Sequence, residues 1–124
     1  MSIRAQEIAY SCYAVSDFAR AIHFYAEILG LKLSYKHEGE MCWAEFDIGG
    51  AALCLARMTD WKPSRDGCTV ALEVADFDAA LAHLRAQGVT ITAGPFDTPV
   101  CQMAGFVDPD GNPLLIHRRR PAHA

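Results

Sequence analysis

The feature that most restricts what this chain can fold into is a repetition. Val15-Ser16-Asp17-Phe18 opens one segment and Val74-Ala75-Asp76-Phe77 opens another, about 60 residues later. After Asp17, apolar residues recur at Phe18, Ala21, Ile22, Tyr25, Ile28 and Leu29 and stop at Gly30. After Asp76 they recur at Phe77, Ala80, Leu81 and Leu84 and stop near Gly88. An aspartate at such a position accepts hydrogen bonds from the free N–H groups of a first helical turn. The i, i+3, i+4, i+7 spacing then puts the apolar side chains on one helix face, and glycine supplies the conformation in which helices end. Two helices of the same plan mark an internal duplication.

Strand-like text surrounds both helices in the same order. Residues 8–15 carry the aromatic and β-branched character of a strand, and three more are predicted over 31–37, 41–48 and 51–57, with turns at Gly39 and Gly49-Gly50. Residues 58–67 are polar and broken and read as a linker that carries Trp61. The plan then restarts with a strand over 68–74, the second helix, and strands over 89–92, 101–107 and 113–117. The predicted fold is therefore α+β, two tandem βαβββ modules over 6–57 and 68–118, with a tail at 119–124. Between the last two strands, Asp108-Pro109-Asp110-Gly111-Asn112 has the chemistry of a tight reversal. The aspartates can bond nearby backbone, proline presets φ, and glycine and asparagine tolerate left-handed geometry.

Composition narrows the function classes. A chain of 124 residues, 52% apolar and 21% charged, can build one compact core or two small modules. A net charge of −4 argues against nucleic acid as a partner; Arg118 to Arg120 read as part of a frayed tail rather than a binding patch. No apolar run has the length of a membrane span, and residues 1–7 lack the basic-then-apolar layout of a secretory signal, so a cytoplasmic protein is expected. Five cysteines without a C-x-x-C pair read as free thiols, mostly buried, rather than a disulfide or zinc framework. His23 and His83 fall off their helix stripes and read as solvated, and His37, Glu38 and Glu40 as a charged turn tip.

The duplicated unit, the run D-F-A-R-A-I-H-F-Y-A-E-I-L-G from Asp17 to Gly30, and the Asp108–Asn112 turn occur together in order. In this the chain resembles the vicinal oxygen chelate superfamily, which includes lactoylglutathione lyase, extradiol dioxygenases, methylmalonyl-CoA epimerase, fosfomycin-modifying enzymes and the bleomycin-resistance binding proteins. The resemblance spans residues 6–118. It implies a cup of curved mixed sheet with helices outside, a ligand within, and a homodimer. It does not choose a reaction, because one scaffold hosts unrelated chemistries.

Metal enzymes of that group hold a divalent ion with His, Glu or Gln from the first and last strands of each module. Carried over by the motifs, those positions are Tyr10, seven residues before Asp17; Cys54; Thr69, seven before Asp76; and Leu115, seven after Asp108. None is His, Glu or Gln, so no metal and no cofactor are expected. A displaced cluster of Cys54, Tyr10 and His117 stays open for a softer metal or for acid/base work with a lowered-pKa thiol. The competing reading makes Cys54 a small core hydrophobe and His117 a strand-end histidine.

Strand alternation assigns the cup lining. Ala44, Phe46, Leu53 and Leu55 should face a helix, leaving Trp43, Glu45 and Cys54 on the opposite face. In the second module Ala104 and Phe106 should face the helix, leaving Cys101 and Met103 opposite. The candidate ligand-binding residues are Tyr10, Cys12, Trp43, Glu45, Cys54, Thr69, Glu73, Met103, Leu115 and His117. An aromatic and sulfur-rich wall with few polar points suits capture of a small molecule, a planar one against Trp43 or a cationic one toward Glu45 and Glu73. The alternative is a lyase, isomerase or dioxygenase of the same group, with relocated ligands or metal-free acid/base chemistry. Trp61 reads as a lid, a dimer contact or a packed-down loop residue.

Overall fold

A computed structural model describes residues 2–120. The chain divides into two compact units, Met1–Pro63 and Ser64–Ala124. Each is a four-stranded mixed sheet with a helix packed on one face, so the predicted α+β class and the tandem βαβββ plan are present.

In the first unit, β1 (Ser11–Ala14) leads to α1 (Phe18–Ile22), and β2 (Lys32–His37), β3 (Cys42–Ile48) and β4 (Ala51–Arg57) follow. The strand order is β1-β4-β3-β2, with β1 parallel to β4 and the other pairs antiparallel. Asp17 caps α1 as its sequence position predicts, its carboxylate accepting from the Arg20 N–H. The helix does not end at Ile22 but continues over His23–Ile28 with a wider winding, in which the Leu29 N–H bonds the Phe24 carbonyl five residues back. That extra residue in the turn lets consecutive side chains, Phe24 and Tyr25, both be buried. Tyr25 lies 5.9 Å from Phe46 across the core, which Phe18, Ala21, Ala44, Leu53 and Leu55 complete.

The second unit repeats the order with β5 (Val70–Glu73), α2 (Phe77–Ala86), β6 (Ile91–Asp97), β7 (Cys101–Val107) and β8 (Pro113–Arg119), arranged β5-β8-β7-β6. Asp76 caps α2 through the Ala79 N–H, and Phe77, Leu81 and Leu84 are buried from the helix side. Ala104, Phe106, Leu114 and Ile116 close the core from β7 and β8.

Several boundaries differ from the sequence reading. β1 begins at Ser11, so Tyr10 precedes the strand in extended chain. β6 runs on to Asp97, past the predicted end at residue 92, because a bulged ladder with β7 carries it through Gly94-Pro95. The arginines are not a frayed tail: Arg118 and Arg119 belong to β8, and Arg120 bonds the Val100 and Thr98 carbonyls and pairs with Asp97. Residues 121–124 of the predicted tail lie outside the described residues.

The Asp108–Asn112 turn is knitted by one buried carboxylate. Asp108 Oδ1 accepts from the Asp110 N–H at 2.8 Å and the Asn112 N–H at 2.9 Å, and Oδ2 accepts from the Asn112 side-chain amide at 2.8 Å. Gly111 turns with φ of +86°, and a Cβ there would press on the Arg65 side chain at 3.3 Å, so both the angle and the space favour glycine.

Candidate functional site

Each sheet has one face against its helix and one face away from it, and the chemistry-bearing residues collect on the second kind. In the first unit, alternation along β3 buries Ala44 and Phe46 and leaves Trp43 and Glu45 half-buried on the other face, as predicted. Glu45 is opposite Cys54, and Cys54 is opposite Cys12, so the ladder brings these three side chains into one row. The Trp43 indole N–H donates to Glu45 Oε2 at 2.8 Å. Tyr10 stands edge-on to the indole, ring centroids 5.3 Å apart and planes at 89°. One aromatic plate is thereby fixed from two directions, by a hydrogen bond and by a T-shaped ring contact.

Sequence counting missed a third ring on this face. Leu33 is opposite Phe46 but Tyr35 is opposite Glu45, because a bulge at Ser34 shifts the alternation of β2. The half-exposed Tyr35 therefore shares the face of Trp43 and Glu45. The only hint in the sequence is the pair Ser34-Tyr35 itself, and no periodicity argument finds a bulge.

The surroundings of this row disfavour thiolates. Burial pushes the Cys12 thiol up to about 12, with Cys54 beside it adding to the effect, and burial with the Glu45 charge pushes Cys54 up to about 11. That direction is opposite to the lowered-pKa thiol that a Cys54, Tyr10 and His117 cluster would need, and His117 is bonded to Glu73. With so little thiolate at neutral pH, Cys12 and Cys54 should alkylate roughly two orders of magnitude more slowly than the exposed Cys68 in the folded protein. Peptide mapping after timed iodoacetamide treatment measures this, and equal labelling would show that the row is open to solvent.

In the second unit the corresponding face carries Glu73, Met103, Leu115 and His117. Glu73 and Met103 are the ladder partners of His117 on either side, and Leu115 sits between Ala71 and Gly105. His117 Nδ1 lies 2.5 Å from Glu73 Oε1, and the Arg119 backbone N–H donates to Glu73 Oε2 at 2.7 Å. The Arg119 N–H first, and the imidazole second, hold the Glu73 carboxyl below the usual carboxylate range. Thr69 is exposed, one residue ahead of β5, and Cys101 is buried against Thr98 at the start of β7. The sequence placed Glu73 and His117 on one face without pairing them. The signal was available: if β1 runs beside β4, the duplication puts β5 beside β8.

The ladder also gives the register of the counted metal positions. Cys12 pairs with Cys54 in the first unit and Ala71 with Leu115 in the second. Tyr10 and Thr69 each stand two residues upstream of those pairs, so the duplicated units present the four positions at the same register. The side chains there, a phenol and a thiol in the first unit and a hydroxyl and an alkyl chain in the second, do not suit a hard divalent cation. Among the described residues no group of three or more His, Cys, Asp or Glu is placed to hold a metal ion.

Elsewhere His23, His37, His83, Glu38 and Glu40 are exposed, and Lys36 pairs with Glu38 at 3.2 Å. Trp61 is exposed in a turn closed by a bridge to Met58, so it is not packed down. No helix among the described residues is long and apolar enough to cross a membrane.

Comparison with known proteins agrees with this architecture. The chain is 31% identical over 118 residues to the uncharacterized protein YraH of Bacillus subtilis (strain 168), covering 84% of this chain and 91% of that one. It is 33% identical over 114 residues to a D-aminoacyl-tRNA deacylase of Sorangium cellulosum (strain So ce56), covering 84% and 74% respectively. Among solved structures it is similar to TnmS3, an antibiotic binding protein from Streptomyces sp. CB03234. The TM-score is 0.78 at 29% identity, over 96% of this chain and 100% of that chain. A family model matches residues 7–116, and with the duplicated sheets and shared register this chain belongs to the Glyoxalase/Bleomycin resistance protein/Dioxygenase superfamily.

Proposed function

We propose that the protein binds a small planar molecule, cationic in at least one part, and that it does so without a metal. The relatives alone do not choose this, since a deacylase and an antibiotic binding protein share the scaffold. The observation that carries the reading is the fixed indole of Trp43, bonded to Glu45 and braced edge-on by Tyr10. A ring already held in place costs little entropy when a flat ligand stacks on it, and the adjoining carboxylate favours positive charge. The residue types at Tyr10, Cys54, Thr69 and Leu115 support the metal-free part. The likeness to TnmS3 supports a small-molecule ligand. A homodimer, implied by the family resemblance, belongs to the same reading.

Titration of the full chain with planar cationic dyes such as proflavine, read by tryptophan fluorescence, tests it. Saturable quenching is expected in the parent and in Trp61→Phe. In Trp43→Ala the affinity should fall at least tenfold, in line with about 1–3 kcal/mol for a lost stacking partner. Quenching that survives Trp43→Ala and vanishes in Trp61→Phe would move the site to the exposed turn and reject the reading.

A further inference from the structure

The Glu73 and His117 pair has no part in aromatic stacking, yet it is built more tightly than a surface ion pair needs. The two residues are ladder partners on adjacent parallel strands, so the backbone fixes their separation. Both carboxylate oxygens of Glu73 are engaged, one by the imidazole and one by the Arg119 backbone N–H, and the latter bond ties the carboxylate to the strand. An ionised carboxylate only accepts, so His117 Nδ1 carries the proton of the 2.5 Å contact. In the neutral ring Nε2 then carries the lone pair, and the side chain is 24% exposed.

The groups around the ring suit a weak acid. Met103 faces His117 from β7, and Leu115 lies two residues back along the same face of β8, so the floor is apolar. Glu73 faces it from β5, and the charge of Arg119, two residues onward on β8, acts on the same carboxylate. An imidazole nitrogen backed by a carboxylate, on an apolar floor with a guanidinium nearby, matches an acidic hydroxyl that ionises on binding.

We propose that Glu73 and His117 form a proton-accepting site on this face of the second unit, for a small molecule that carries an acidic hydroxyl, phenolic or enolic. This rests on the small-molecule reading above and adds the ligand's chemical class. In the transfer the ligand O–H bond breaks and its electron pair stays on oxygen. The proton goes to His117 Nε2, and the imidazolium keeps its Nδ1–H bond to Glu73. No oxidant or further reactant is needed.

The probe is para-nitrophenol, whose anion absorbs at longer wavelength than the neutral phenol. Equilibrium dialysis against the full chain measures how much is bound, and absorbance measures whether the bound dye is ionised, at a pH where the free dye is mostly neutral. The parent should bind the dye and show the anion band. His117→Ala should lose the band while some dye stays bound. Glu73→Gln, which removes the charge behind the imidazolium but keeps the shape, should shift the ionisation of bound dye roughly tenfold toward the neutral form. Circular dichroism checks that both variants fold, and NMR of the imidazole nitrogens should show Nδ1 protonated and Nε2 bare in the free parent. Dye that binds as neutral phenol, or an anion band unchanged in His117→Ala, overturns the proton-accepting site and leaves the small-molecule reading intact. No bound dye overturns the site as well, and the small-molecule reading is then decided by the proflavine titration.

Discussion

Phe46→Ala is expected to destabilise the first unit by about 4 kcal/mol, the usual cost of removing a phenylalanine from a packed core. Phe46 is fully buried, pairs across the sheet with Leu33 and Leu53, and stacks at a tilt on Tyr25. The cavity left behind is walled by strands on both sides, so it collapses poorly. A loss of this size should lower the midpoint of thermal unfolding by well over 10 °C in a unit this small. Tryptophan fluorescence follows it directly, because Trp43 and Trp61 both belong to the first unit. Phe46→Leu should recover more than half of the loss. A change below about 1 kcal/mol would mean that β3 does not pack on the helix through this residue. The same ring orients β3, so that Trp43 and Glu45 lie on the opposite face of the sheet.

Asp108→Ala should cost the second unit about 3 kcal/mol. Three donors turn on this buried carboxylate, the backbone N–H groups of Asp110 and Asn112 and the Asn112 amide. Bonds to a charged group are worth more than neutral ones, and donors stripped of a partner in a buried turn keep their desolvation cost. Asp108→Asn retains one oxygen acceptor and should lose about half as much. The second unit has no tryptophan, so the measurement is far-UV circular dichroism or amide exchange in β7 and β8. If the Asp110 and Asn112 amides exchange no faster in Asp108→Ala than in the parent, the carboxylate is not what holds the turn.

The contrast between these residues shows where the sequence was readable. Asp17 and Asp76 announced helix starts because capping is a local bargain between one side chain and the next turn, and both caps are made. The face of Phe46 against that of Trp43 was legible because β3 keeps strict alternation. Tyr35 was not, because the bulge at Ser34 depends on what β2 meets in its partner strand. The row of Tyr10, Cys12, Trp43, Glu45 and Cys54 followed from counting, but the chemistry of its thiols did not. Burial decides whether a cysteine is a nucleophile or an inert filler, and burial is a property of the fold. Likewise the carboxylate that accompanies His117 sits 44 residues away in the chain and becomes its neighbour only when β5 is laid beside β8.

The wide helical turn over His23–Ile28 has a consequence for how the two halves diverged. Thirteen positions separate the capping Asp17 from Gly30, but twelve separate Asp76 from Gly88. Both glycines adopt the same left-handed geometry, with φ of +74° and +79°, and each is followed by the strand that starts the rest of its unit. The duplicated halves thus differ by a single codon between cap and closure. The first half absorbs it inside the helix as one slack turn, instead of passing it on as a slipped strand. A one-residue difference that would invert every side chain downstream is confined to a place where it brings Phe24 and Tyr25 into the core together.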